Sequence, residues 1–196
     1  MSQFCGKIAL IYLPVVLTKR DQNVSKTKMT KHLKVKPFQE TLRADMCGPA
    51  SLKIVLGYYG FNKSEKELAR LSGTTQHLGT DQKGLAKAAR QLGFKVIVKN
   101  NSSFDDIEKW LRGGVPLIVD WFTRGRTDYS DSRVADGHYS VVCGIDSKYI
   151  YLQDPEIGGI RKIEKNDFKR VWFDFKGEFI RPSELIIRQI IVIYKK

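Results

Sequence analysis

Three residues of this 196-residue chain have types and settings suited to nucleophilic chemistry. Cys47 lies in the run Asp45-Met46-Cys47-Gly48-Pro49-Ala50-Ser51-Leu52, just where a helical pattern begins. Pro49 suits a first turn, because the N–H it lacks would have had no partner there. Gly48 lets backbone come close beside the sulfur. A sulfur at a helix N-terminus faces the positive end of the dipole, which favours its anionic, nucleophilic form. His138 opens an apolar strand in Asp136-Gly137-His138-Tyr139-Ser140-Val141-Val142. Asp154 ends the next strand in Tyr151-Leu152-Gln153-Asp154-Pro155, sixteen residues on. A hairpin joining these strands brings carboxylate and imidazole together. A carboxylate that accepts one ring N–H fixes the tautomer and leaves the other nitrogen for a thiol. Each residue alone also has a plainer reading: a small buried hydrophobe for the cysteine, a structural imidazole for the histidine, a turn for Asp-Pro.

The elements that must position these residues can be read from periodicity and caps. Ala50, Ile54, Val55 and Tyr58 recur at helical spacing from Pro49, and Gly57 and Gly60 punctuate the end. Ser64 followed by Glu67 is a capping box opening a helix to about Ser72. A helix over Lys83–Leu92 stops at Gly93, and Phe94–Lys99 alternates as a strand. Ser103 caps a helix over Phe104–Leu111 that ends at Gly113-Gly114. Beyond it, Pro116–Phe122, His138–Ile145, Tyr149–Gln153, Gly159–Ile163 and Leu185–Tyr194 read as strands separated by turn residues. Helices first and strands second predict an α+β protein with segregated layers.

A Cys at a helix start, then a His, then an acid on later strands is the chain order of papain-like sites. The segments CGPASLKIVLGYYG, LAKAARQLGF, LRGGVPLIV, GHYSVVCGID and YLQDPEIG resemble the C39-like cysteine peptidases, from about Phe38 to Trp172. The resemblance implies a papain-like fold, with an N-terminal helical lobe carrying the nucleophile against an antiparallel sheet carrying His and Asp. It implies Cys47 as nucleophile, His138 as general base then acid, and Asp154 as the orienting group. It also implies an upstream glutamine whose amide holds the oxyanion, for which Gln39 is the candidate. Gln39 lies eight residues before Cys47, a longer spacing than the family's usual one. Met46 stands where leader-trimming relatives carry an acid, and the chain holds no Walker-type GxxxxGK[ST], so it does not resemble the exporter-fused form. The same triad serves deamidases and transglutaminases, and the same fold without turnover would be a peptide-binding module.

Residues 1–36 read as an extension or basic linker ahead of a domain over 37–196. Within it Ile8–Leu17 is apolar but too short to span a bilayer, and Met29 is a plausible alternative start. Three cysteines, Cys5, Cys47 and Cys143, without a CxxC, fit a reducing, cytoplasmic setting rather than a disulfide framework. Scattered His and Cys imply no metal site, and no cofactor is expected. The expected partner is a peptide or protein substrate. The net charge of +13 is interspersed except over Lys19–Lys36, which has seven basic residues and one acidic. No aromatics interleave with those cations, so no nucleic-acid surface is expected. The polar loop Phe122–Gly137 directly precedes His138 and is a candidate gate over the site. Trp110, Trp121 and Trp172 read as core aromatics.

Overall fold

The computed structural model describes residues 32–41, 46–75, 79–123, 137–175 and 180–195. Cys5, Ile8–Leu17, the basic stretch before residue 32 and residues 124–136 of the expected gate over Phe122–Gly137 lie outside the described residues.

Helices α1 (Cys47–Tyr58), α2 (Glu65–Ser72) and α3 (Gln82–Gln91) come first, followed by β1 (Lys95–Lys99) and α4 (Phe104–Arg112). Strands β2 (Leu117–Phe122), β3 (Gly137–Ile145), β4 (Tyr149–Asp154) and β5 (Gly159–Glu164) follow, then α5 (Lys165–Val171) and β6 (Phe173–Phe175). A short 3-10 turn, Pro182–Glu184, leads into β7 (Leu185–Ile187) and β8 (Ile190–Tyr194). Six strands form one antiparallel sheet in the order β1-β8-β2-β3-β4-β5, and β6 pairs with β7 in a two-stranded ribbon.

The caps do what their side chains allow. Ser64 accepts from the Glu67 N–H, and Gly73 closes α2 in the left-handed region at φ 68°. Ser103 and Asp106 form a reciprocal capping box on α4. The central strands are buried on both faces. Ile118, Val141, Ile191 and Ile193 pack with Leu52, Val55, Leu68, Leu85 and Ala89 of the first three helices. Leu117, Val119, Trp121 and Val142 pack on the opposite face with Ile107, Leu111, Phe168 and Trp172. The period-two alternation of β2 thus supplies two cores at once.

Besides the short β6 and the 3-10 turn, which no expected element covers, two features depart from the expected elements. Leu185–Tyr194 is two strands, because Arg188 takes a left-handed conformation at φ 48° and breaks the run. Lys165–Val171 is a helix, tied to the core by Phe168, where no element was expected. Ahead of α1, Leu33 is buried and its N–H donates to the Cys143 carbonyl at 2.7 Å, beside an irregularity in the β3–β4 register.

Candidate active site

Cys47 is the first residue of α1, and a register of small contacts fixes that helix end. Ser51, one turn on along the same face, is fully buried and donates its hydroxyl to the Tyr139 carbonyl at 2.9 Å. That bond pins α1 to β3 at the residue after His138. Gly48 brings the backbone close: a Cβ there would stand 3.0 Å from Thr80 Cβ and 3.4 Å from the Tyr139 ring.

His138 and Asp154 meet as the hairpin requires. His138 Nε2 and Asp154 Oδ1 are 2.8 Å apart, and both side chains are buried. The remaining nitrogen, Nδ1, is left for Cys47, which is close enough to the imidazole to act on its charge. The T-shaped packing of Trp121 holds the ring from its side, with centroids 5.8 Å apart. Burial opposes a charge on His138, but the Asp154 carboxylate, by attraction and hydrogen bond, and then Cys47 outweigh it. The His138 pKa is raised to about 10. Burial works against the Asp154 anion too, and the charges of His138 and Arg161 prevail, holding its pKa below the ordinary carboxylate value. Asp154 Oδ1 also accepts the Glu156 N–H at 3.0 Å, and Oδ2 accepts Arg161 Nε–H at 2.6 Å. Arg161 reaches Glu156 with its other arm.

The structure therefore brings Cys47, His138 and Asp154 together. Gln39 is exposed, and its amide donates to the Glu156 carbonyl at 3.0 Å, in the turn that follows Asp154. The next residue points inward. The Glu40 N–H donates to the Pro155 carbonyl at 2.9 Å, and its Oε2 is buried without a hydrogen-bond partner. Burial, then the carboxylates of Asp154, Glu65 and Glu156, raise the Glu40 pKa to about 7 against the pull of His138.

A second acidic group lies within electrostatic reach of the nucleophile. Asp120 of β2 is buried opposite Tyr139 in the ladder, within electrostatic reach of the Asp174 carboxyl of β6, and among the described residues neither of its carboxyl oxygens meets a hydrogen-bond partner. Asp174 occupies the space over Gly137, where a Cβ would come within 2.6 Å of its carboxyl oxygens. Burial, then the charges of Asp174 and Cys47, push Asp120 well above the carboxylate range. A like charge beside a buried carboxyl disfavours its ionised form. Arg161, Glu40, Asp120 and Asp174 were absent from the sequence-based site. The one clue was Asp120, an acid inside the apolar run Pro116–Phe122.

Known proteins share this arrangement of elements. Residues 20–179 match the Peptidase_C39 like family. An uncharacterised protein of Methanothermobacter marburgensis is 33% identical over 126 residues, which cover 64% of this chain and 75% of that protein. The transport/processing ATP-binding protein ComA of Streptococcus pneumoniae is 30% identical over 128 residues, again 64% of this chain. The chain spans only 16% of that ComA's length. The solved peptidase domain of Streptococcus ComA superposes with a TM-score of 0.59 at 23% identity, covering 82% of this chain and 99% of that domain. A double glycine motif protease from an AMS/PCAT transporter, solved with its leader peptide, gives 0.58 at 23% identity over 88% and 97% of the two chains. Both likenesses are of fold: a papain-like α+β arrangement. Among the described residues no helix is long and apolar enough to cross a membrane.

Proposed function

Because the chain belongs to the Peptidase_C39 like family, we propose that it is a cysteine peptidase acting on peptide bonds through Cys47, His138 and Asp154. The observation that carries this reading is the placement of His138, hydrogen-bonded to Asp154 through Nε2 and close enough to Cys47 to feel its charge. With a pKa raised to about 10 chiefly by the Asp154 carboxylate, His138 holds a proton at neutral pH that it can give to a leaving amine.

The thiolate attacks the scissile carbonyl carbon. The new S–C bond moves the carbonyl π pair onto oxygen, and the helix-start N–H of Cys47 receives that charge. As the C–N bond breaks, His138 gives its proton to the departing amine. Water then attacks the thioester, His138 takes the water's proton, and the S–C bond breaks to return the thiolate. Asp154 keeps the ring in register throughout and stays ionised, because His138 and Arg161 both favour its charge. Gln39 is the proposed second oxyanion donor. To serve, its amide must leave the Glu156 carbonyl and turn toward the sulfur.

The test is a peptide library turned over by wild type and Cys47→Ala side by side. The substitution should lower kcat/KM by about 10³-fold or more while the circular dichroism spectrum is unchanged. Turnover that survives in Cys47→Ala contradicts the reading.

A further inference from the structure

A cavity of about 340 Å³ opens between α3 and the end of the sheet. Gln82, Lys83 and Arg90 of α3 form one side, and Val98, Asn100 and Gln189 form the other. The two amides of the far side are set by unusual backbone. Asn101 and Arg188, each next to one of them, take left-handed conformations at φ 53° and 48°. Non-glycine residues rarely adopt this region, and they persist there only where surrounding structure enforces it. Here the enforcement is mutual: the Asn101 N–H donates to the Ile187 carbonyl at 2.8 Å, and the Ser102 N–H to the Arg188 carbonyl at 3.0 Å. Gln189 is 1% exposed; its Nε2 donates to Asn100 Oδ1 at 2.8 Å, while its Oε1 accepts from nothing.

The α3 side is cationic. Lys83, Lys87 and Arg90 are exposed and fall along one stripe of the helix. Among the described residues none of them meets a carboxylate. The nearby Asp81 carboxylate is committed to the Gly84 N–H at 2.6 Å. The site also lies along the chain from the nucleophile: Thr80, two residues before Gln82, is what a side chain on Gly48 would strike.

We propose that this cavity is an exosite for an acidic segment of the peptide substrate. Carboxylate side chains would sit on Lys83 and Arg90, and a small shift of the Gln189 side chain would open its Oε1 to a peptide N–H. Charge complementarity selects the occupant, since the walls offer two cations and no anion that is not already held. The proposal rests on the peptidase reading for the nature of the ligand, but its test does not require turnover.

That test is calorimetric binding to the full chain carrying Cys47→Ala. The probes are the amide-capped peptide acetyl-(Glu-Ala)₄ and its isostere acetyl-(Gln-Ala)₄. The glutamate peptide should bind about tenfold or more tightly than the glutamine one, with affinity falling as salt rises. Adding Lys83→Glu with Arg90→Glu should weaken the glutamate peptide by about tenfold or more. Lys66→Glu with Lys109→Glu, exposed sites on α2 and α4 with the same change in charge, should leave it within about twofold. Equal losses in the two double variants, equal binding of the two peptides, or no binding at all would overturn the proposal. Selective binding in a protein whose wild type cleaves nothing would sink the peptidase reading and leave the exosite standing.

Discussion

At the scale of single residues, Glu40 sits among charges that do not cancel. Asp154, Glu65 and Glu156 repel its anion, burial opposes it, and only His138 draws it down. Its folded pKa of about 7 lies above the ordinary carboxylate value of 4.5. The folded state therefore holds a proton that the unfolded chain releases earlier, and stability falls as pH rises between those two values. Glu40→Gln should then raise Tm at about pH 8 and leave it nearly unchanged at about pH 4; a Tm gain that is the same at both pH values would count against the account. His138 has the same sign over a higher pH window. Its pKa is raised in the fold, so its contribution is complete below the unfolded value of about 6.5 and is lost as pH climbs toward 10. Asp154 is depressed, so its share is present above the ordinary carboxylate range and is lost as acid protonates it. The pair is at its strongest between those limits.

At the scale of elements, the attachment of α1 to β3 decides whether the sulfur meets the ring. Ser51→Ala removes the donor to the Tyr139 carbonyl in a fully buried setting, at a cost of about 1–3 kcal/mol. It also frees the first turn of α1 to drift, so kcat should fall more than thermal stability alone explains. Urea denaturation and kinetics on the same preparation check both. Unchanged kcat with lowered stability would mean that Cys47 is placed by other contacts. The helices were legible because their caps are local chemistry: Ser64 with Glu67, and Ser103 with Asp106, announce themselves within four residues. The break at Arg188 was not, since apolar residues flank it on both sides and nothing in that pattern records a positive φ. The helix α5 was hidden for a related reason. One buried residue, Phe168, anchors seven, too few for a period to show.

At the scale of the whole molecule, the cleft joins residues that the chain keeps far apart. The order Cys47, His138, Asp154 was readable, because the hairpin of β3 and β4 is local and Cys47 marks the helix start. The acid pair Asp120–Asp174 was not, because it forms only when β6 is laid beside β2 and β3. Nor was the inward turn of Glu40 beside the outward turn of Gln39, since one residue of register decides which faces the site. The measurement that bears most directly on the convergence is the rate of iodoacetamide modification of each cysteine, followed by peptide mapping, in wild type and His138→Ala. Cys143 is an internal reference: burial pushes its thiol up to about 11, so it should react slowly. Cys47 should be modified much faster than Cys143 at about pH 6, and His138→Ala should slow Cys47 about tenfold or more by removing its imidazolium partner. A Cys47 rate no greater than that of Cys143, or unchanged by loss of His138, would contradict the account.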